Sequence, residues 1–142
     1  MRKTKYEKYI LLPTGSKKST APLPAVSPEV LTGVRDWAGI QHRMNWKYIS
    51  QPIMLVSEPH THDFEQFLVL LGNNAANAAD FGAEAEIFLG EEGEKQFIKD
   101  ATVICIPRGL VHGPFKITKV NKPFLFCNIY LAPEYIRKPA TR

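Results

Sequence analysis

What is scarce in this chain narrows its class first. It has two cysteines in 142 residues, Cys105 and Cys127, and both lie in apolar runs, "VICIP" and "FLFCNIYL". That excludes a disulfide-dense scaffold and predicts buried free thiols. No run approaches the roughly 18–20 apolar residues needed to span a bilayer, and "YILLP" near the N-terminus is too short for a signal-peptide core. The chain therefore reads as cytoplasmic, without a membrane partner. A surplus of charge is missing too, once its position is considered. The net +4 arises at the ends, with six Lys/Arg against one acid in residues 1–20 and three against one in 134–142. Residues 21–133 hold nine basic and twelve acidic side chains, and no basic patch interleaved with aromatics. Basic ends of this kind read as solvated tails, and nucleic acid is excluded as the main partner.

What is present is strand material. Hydrophobic residues make up 44% and charged residues 23%, with eleven prolines and nine glycines spread along the chain. That balance suits one soluble domain of many short elements. From residue 43 onward eight segments are β-branched or aromatic and bounded by turn residues: "MNWKYIS", "PIMLVS", "EQFLVLLG", "AEAEIFLG", "EKQFIK", "TVICIP", "FKITKV" and "PFLFCNIYL". Their spacing predicts an all-β antiparallel sandwich or barrel. "FLGEEGEKQF" reads as a hairpin with Gly93 in its turn, and residues 73–82 as an insertion. Upstream, "KYEKYILL" reads as a short first strand and residues 12–30 as a Pro/Ser/Lys-rich arm. Ser27-Pro28 resembles a helix start, so a short helix is expected at about 28–37. The expected layout is a strand, arm and short helix over 1–42, a barrel over 43–133, and a basic tail over 134–142. The N-terminal 30 residues are expected to pack across a second copy as an added strand.

Histidine is scarce as well, with four in the chain, so its placement matters. His60 and His62 lie two apart at the mouth of a strand-like run, on one face and roughly 6–7 Å apart along the strand. Two imidazoles so placed can converge on one metal ion. Further on, "IPRGLVHG" sets Pro107 and Gly109 in a tight turn that delivers His112 inward. His42 fits no motif and reads as an ordinary surface or hydrogen-bonded histidine.

In order, these residues resemble the two motifs of the cupin superfamily. His60-Thr61-His62 and Gly72 match the first motif, and Pro107, Gly109 and His112 the second. The resemblance covers roughly residues 45–131. It implies a cupin double-stranded β-helix (jelly-roll barrel), here with an N-terminal arm and at most one or two short helices. It also implies a metal in the barrel mouth and a homodimeric assembly. Two departures stand out. The superfamily's metal-binding Glu falls at Gln66 when counted from His62, but at Glu65 when counted back from Gly72. Strand parity puts Gln66 on the histidine face and Glu65 on the other, so Gln66 is the favoured fourth ligand and Glu65 the alternative. Lys116 stands where the second motif often ends in Asn.

The expected cofactor is one divalent transition metal (Fe, Mn, Ni, Co, Cu or Zn) on His60, His62, Gln66 and His112; imidazole-rich shells bind all of these. An amide in place of a carboxylate leaves the ion its full charge, which favours a small anionic organic substrate. Trp46, Phe64 and Tyr130 are candidates for the pocket wall, with Trp37 and Phe126 behind them. The chain reads as a metal-dependent enzyme of oxygenase, isomerase, lyase or decarboxylase type. The alternative is a non-catalytic module that binds or senses a small ligand.

Overall fold

Alternating burial along the strands builds two facing sheets. The computed structural model describes residues 4–13, 22–33 and 36–141. One five-stranded antiparallel sheet contains β1 (Leu31–Thr32), β4 (Arg43–Ile49), β12 (Phe124–Tyr130), β7 (Gln66–Leu71) and β10 (Thr102–Ile106), in the order β1-β4-β12-β7-β10. The opposing sheet runs β13 (Lys138–Pro139), β6 (His60–Thr61), β11 (His112–Val120), β8 (Ala83–Leu89) and β9 (Glu94–Ile98), with β5 (Ile53–Val56) also on β11. A small hairpin, β2 (Asp36–Trp37) with β3 (Ile40–Gln41), stands apart. All eight expected strands from residue 43 onward are present, and β8 and β9 form the expected hairpin with Gly93 at φ +64°.

The inward positions fill the space between the sheets. Leu68 and Leu70 on β7, Ala85 and Ile87 on β8, Phe115 and Ile117 on β11, and Phe124 and Phe126 on β12 form one buried cluster with Ile49 and Phe81. Each such large apolar side chain contributes about 1.5–3 kcal/mol on burial. None of the histidines belongs to this cluster.

Four expectations from the sequence need correction. "KYEKYILL" is not a strand; within it Glu7–Tyr9 forms a 3-10 turn, the one helical element among the described residues. The helix expected at 28–37 is absent from the described part of that span. Ser27, Val30 and Gly33 instead donate their backbone N–H groups to Tyr48, Trp46 and Met44. The open edge of β4 offers a ladder of partners, and this pairing outweighs the local Ser-Pro signal. Residues 26–33 thus add to the sheet of their own chain. Residues 14–21, most of the expected arm, lie outside the described residues.

The C-terminal segment is exposed but is not a free tail. Lys138 and Pro139 pair with Thr61 and His60, and Lys138 bonds Asp63 at 2.5 Å. Finally, Cys105 is exposed while Cys127 is buried. Cys105 alternates outward on β10, the edge of its sheet, whereas burial pushes the Cys127 thiol up to about 12.

Candidate metal centre

Two chain reversals bring the histidines together. His60 begins β6 and sits opposite His112 in the β6–β11 ladder. The turn before His112 has the expected form: Leu110 N–H donates to the Pro107 carbonyl, and Gly109 holds φ +83°. Gly109 N–H also donates to the His62 carbonyl at 2.9 Å, which ties the second motif to the first.

The three side chains are 2–3% exposed. One nitrogen from each lies within 4.8 Å of the others, and the ring centroids are 4.2–5.0 Å apart. Each Nδ1 faces a backbone carbonyl: His60 with Glu58 at 3.1 Å, His62 with Ile136 at 2.6 Å, His112 with Leu110 at 2.9 Å. A carbonyl can only accept, so each Nδ1 carries the proton and each Nε2 a bare lone pair. The His60 and His62 Nε2 atoms are 3.1 Å apart. Two lone pairs at that distance repel unless a cation lies between the rings, so this donor set fits a metal ion. Burial depresses all three imidazole pKa values, that of His112 to about 4. The rings are therefore neutral, the form that ligates.

Gln66 starts β7 with its side chain 3% exposed. Its Nε2 donates to Asn128 Oδ1 at 2.8 Å, and its Oε1 is buried without a hydrogen-bond partner. An orphaned buried amide oxygen costs roughly 1–3 kcal/mol, which coordination to a cation would offset. Glu65 points to the outer face, where Arg108 Nε lies 3.2 Å from its carboxylate. Parity thus places Gln66, and not Glu65, on the histidine side. Lys116 points outward toward Glu86, at 3.5 Å.

A cavity of about 180 Å³ opens beside His112 and Gln66, with Asn45, Lys47, Asn128 and Arg137 in its lining. No Asp or Glu is among the lining residues. Phe126 lines it, but the three named aromatic candidates do not. Phe64 stacks on His62 at 4.5 Å and, with Tyr130 and Tyr135, forms a wall around that ring. Trp46 lies between Asn45 and Lys47, so alternation turns it to the opposite face of β4. Trp37 is remote; it stacks on His42 at 5.9 Å and donates to the Lys8 carbonyl. His42 is buried with Nδ1 against the Ile40 carbonyl.

Sequence reasoning missed Asn45, Lys47, Asn128, Tyr135 and Arg137. Asn128 was detectable as a polar residue at an inward position of an apolar strand, and Asn45 and Lys47 by the same parity. Tyr135 and Arg137 carried no local signal.

No protein-family model and no curated protein matches the sequence. Among solved structures, an oxalate oxidase superposes over 87% of this chain with a TM-score of 0.52 and 12% identity. An oxalate oxidase in complex with glycolate aligns over 85% of this chain, also at 0.52, with 14% identity. The chain spans 60% and 58% of the length of those two proteins. An uncharacterized conserved protein with a double-stranded beta-helix domain, from Klebsiella pneumoniae subsp. pneumoniae, aligns over 99% of this chain and 93% of its own, with a TM-score of 0.49 and 16% identity. The likeness is one of fold.

Proposed function

We propose that this chain, whose fold is the cupin double-stranded β-helix, binds one divalent transition-metal ion through His60, His62, His112 and Gln66 and acts as a metal-dependent enzyme on a small organic anion. The observation that carries the reading is the set of three buried imidazoles, each with Nδ1 held by a carbonyl and Nε2 left bare. When bound, the ion supplies Lewis acidity and an open coordination position.

The chain's own groups do the rest. Lys47 and Arg137 attract an anionic group into the cavity, and the Asn45 and Asn128 amides orient it. The Gln66–Asn128 hydrogen bond holds the Gln66 amide nitrogen, and its unpartnered oxygen would be the atom to hold the ion. The aromatic wall of Phe64, Tyr130 and Tyr135 keeps water from the outer side of His62. Since no lining residue is a carboxylate, a proton moved at the substrate passes through the Tyr135 hydroxyl or Lys47. Oxygenase, isomerase, lyase and decarboxylase chemistry all suit a site rich in Lewis acidity and poor in carboxylate base. Two free thiols suit a reducing cytoplasm, and a homodimer is the assembly expected from the superfamily resemblance.

The missing carboxylate base also favours a second reading, a module that binds metal and small ligand without turnover. Elemental analysis of protein prepared without chelators, for wild type and His60→Ala/His112→Ala, comes first. Near-stoichiometric metal in the wild type alone is the expected result; a metal-free wild type sinks the proposal. Turnover of a panel of small organic acids, abolished by chelation, then separates enzyme from binding module.

A further inference from the structure

The cavity's two cations come from different parts of the fold. Lys47 projects from β4 of the five-stranded sheet, and its ammonium has no carboxylate partner among the described residues. Arg137 comes from the segment that leads into β13 and crosses the opposing sheet beside β6. That segment is anchored on both sides of Arg137. Before it, the Ile136 carbonyl accepts from His62 Nδ1, and the Tyr135 ring packs 4.8 Å from that of His62. After it, Lys138 and Pro139 are laddered to Thr61 and His60, and Lys138 is paired with Asp63. Arg137 itself lies over the Tyr135 ring at 5.3 Å and donates from Nε to the Tyr135 hydroxyl at 3.2 Å. Among the described residues it too has no carboxylate partner.

A guanidinium on a segment anchored at both ends, steadied by the Tyr135 ring and hydroxyl, with donors left over and no carboxylate partner among the described residues, is disposed to take an anion. The planar fork suits a carboxylate in particular. A second cation on the facing sheet, with no carboxylate in the lining between them, calls for a second anionic group on the ligand. A cavity of about 180 Å³ suits a small ligand.

We infer that Arg137 is the residue that determines substrate class, and that with Lys47 it selects a short dicarboxylate. The inference rests on the anionic-substrate reading above and names its chemistry. Arg137 takes one carboxylate and Lys47 the other. The strap on which Arg137 sits is the same one that holds His62, so ligand recognition and ligand-atom positioning share a single segment.

The test uses metal-free protein, so it does not depend on the metal reading. Malonate, acetate and neutral malonamide are titrated by calorimetry or by NMR shifts at low ionic strength. In the wild type, malonate binds about tenfold or more tighter than acetate, and malonamide does not bind. Arg137→Gln and Lys47→Met each remove that preference. Arg137→Lys retains part of it, and Lys119→Gln, which removes an exposed charge away from the cavity, retains all of it. Equal affinity for malonate and acetate, no malonate binding at all, or an unchanged preference in Arg137→Gln would each overturn the inference. Cobalt(II) titration of the same proteins, read by its visible absorption, is the second measurement. Arg137→Gln keeps the wild-type cobalt spectrum, so its lost preference is not a collapsed site. A wild type that prefers malonate but takes up no cobalt leaves the dicarboxylate site standing and sinks the metal centre alone.

Discussion

At the scale of single residues the site is a set of neutral groups held ready for charge. Burial sets His112 near 4 in the folded protein against an ordinary 6.5. As pH falls, the unfolded chain takes up this proton first, so folding stability is whole above 6.5 and drains away between 6.5 and 4. The loss reaches roughly 3 kcal/mol, with His60 and His62 adding in the same direction. Urea midpoints of metal-free protein at pH 7 and pH 4.5 should show the drop, and His112→Gln should make it shallower. Gln66 offers the complementary test. Gln66→Glu places a carboxylate where an orphaned amide oxygen lies, so cobalt affinity should rise and malonate affinity fall, each roughly tenfold, the size of 1.4 kcal/mol. Unchanged values for both would place Gln66 outside the ligand set.

At the scale of elements, glycines decide where the turns fall. A Cβ on Gly72, which follows β7, would lie 2.2 Å from the Asp80 carbonyl oxygen and 2.5 Å from the Phe81 Cα. Backbone cannot move aside as a side chain can, so Gly72→Ala should cost about 2 kcal/mol or more. Gly109 has open space around it and a positive φ, so Gly109→Ala should cost only the left-handed strain, about 1 kcal/mol. Urea denaturation orders the two, and an equal loss would mean that the turn carrying His112 is tighter than its geometry. The strands were legible in the sequence because runs such as "QFLVLL" and "TVICI" carry β-branched and apolar residues between turn formers. The segments that pair only with distant partners were not. Residues 26–33 follow β4 and 138–139 follow β6, and neither has a periodicity of its own. Local signals there, Ser27-Pro28 above all, pointed elsewhere. The same division runs through the site: motif spacing and parity located the histidines and the inward face of Gln66, but Arg137 reaches the cavity only through the return of the chain across β6.

At the scale of the whole molecule, the apolar core between the sheets is built from residues other than the histidines, although Leu68, Ile87, Phe115 and Phe126 of that core also line the cavity beside them. Removing metal should therefore leave the β-sheet circular dichroism intact and lower only the melting temperature. Restoring free metal to a hundred times its Kd should return about 2.7 kcal/mol. Unfolding on chelation would instead mark a structural ion. The ladder pair His60–His112 explains why the two effects are separable. Bringing together residues 52 positions apart (112 minus 60) costs an unfolded chain about 3.5 kcal/mol in closure entropy alone. Strand pairing meets that cost before any ion arrives. Metal uptake is then a docking event, governed by access through the cavity and by dehydration of the ion, and its rate should be insensitive to how fast the barrel folds.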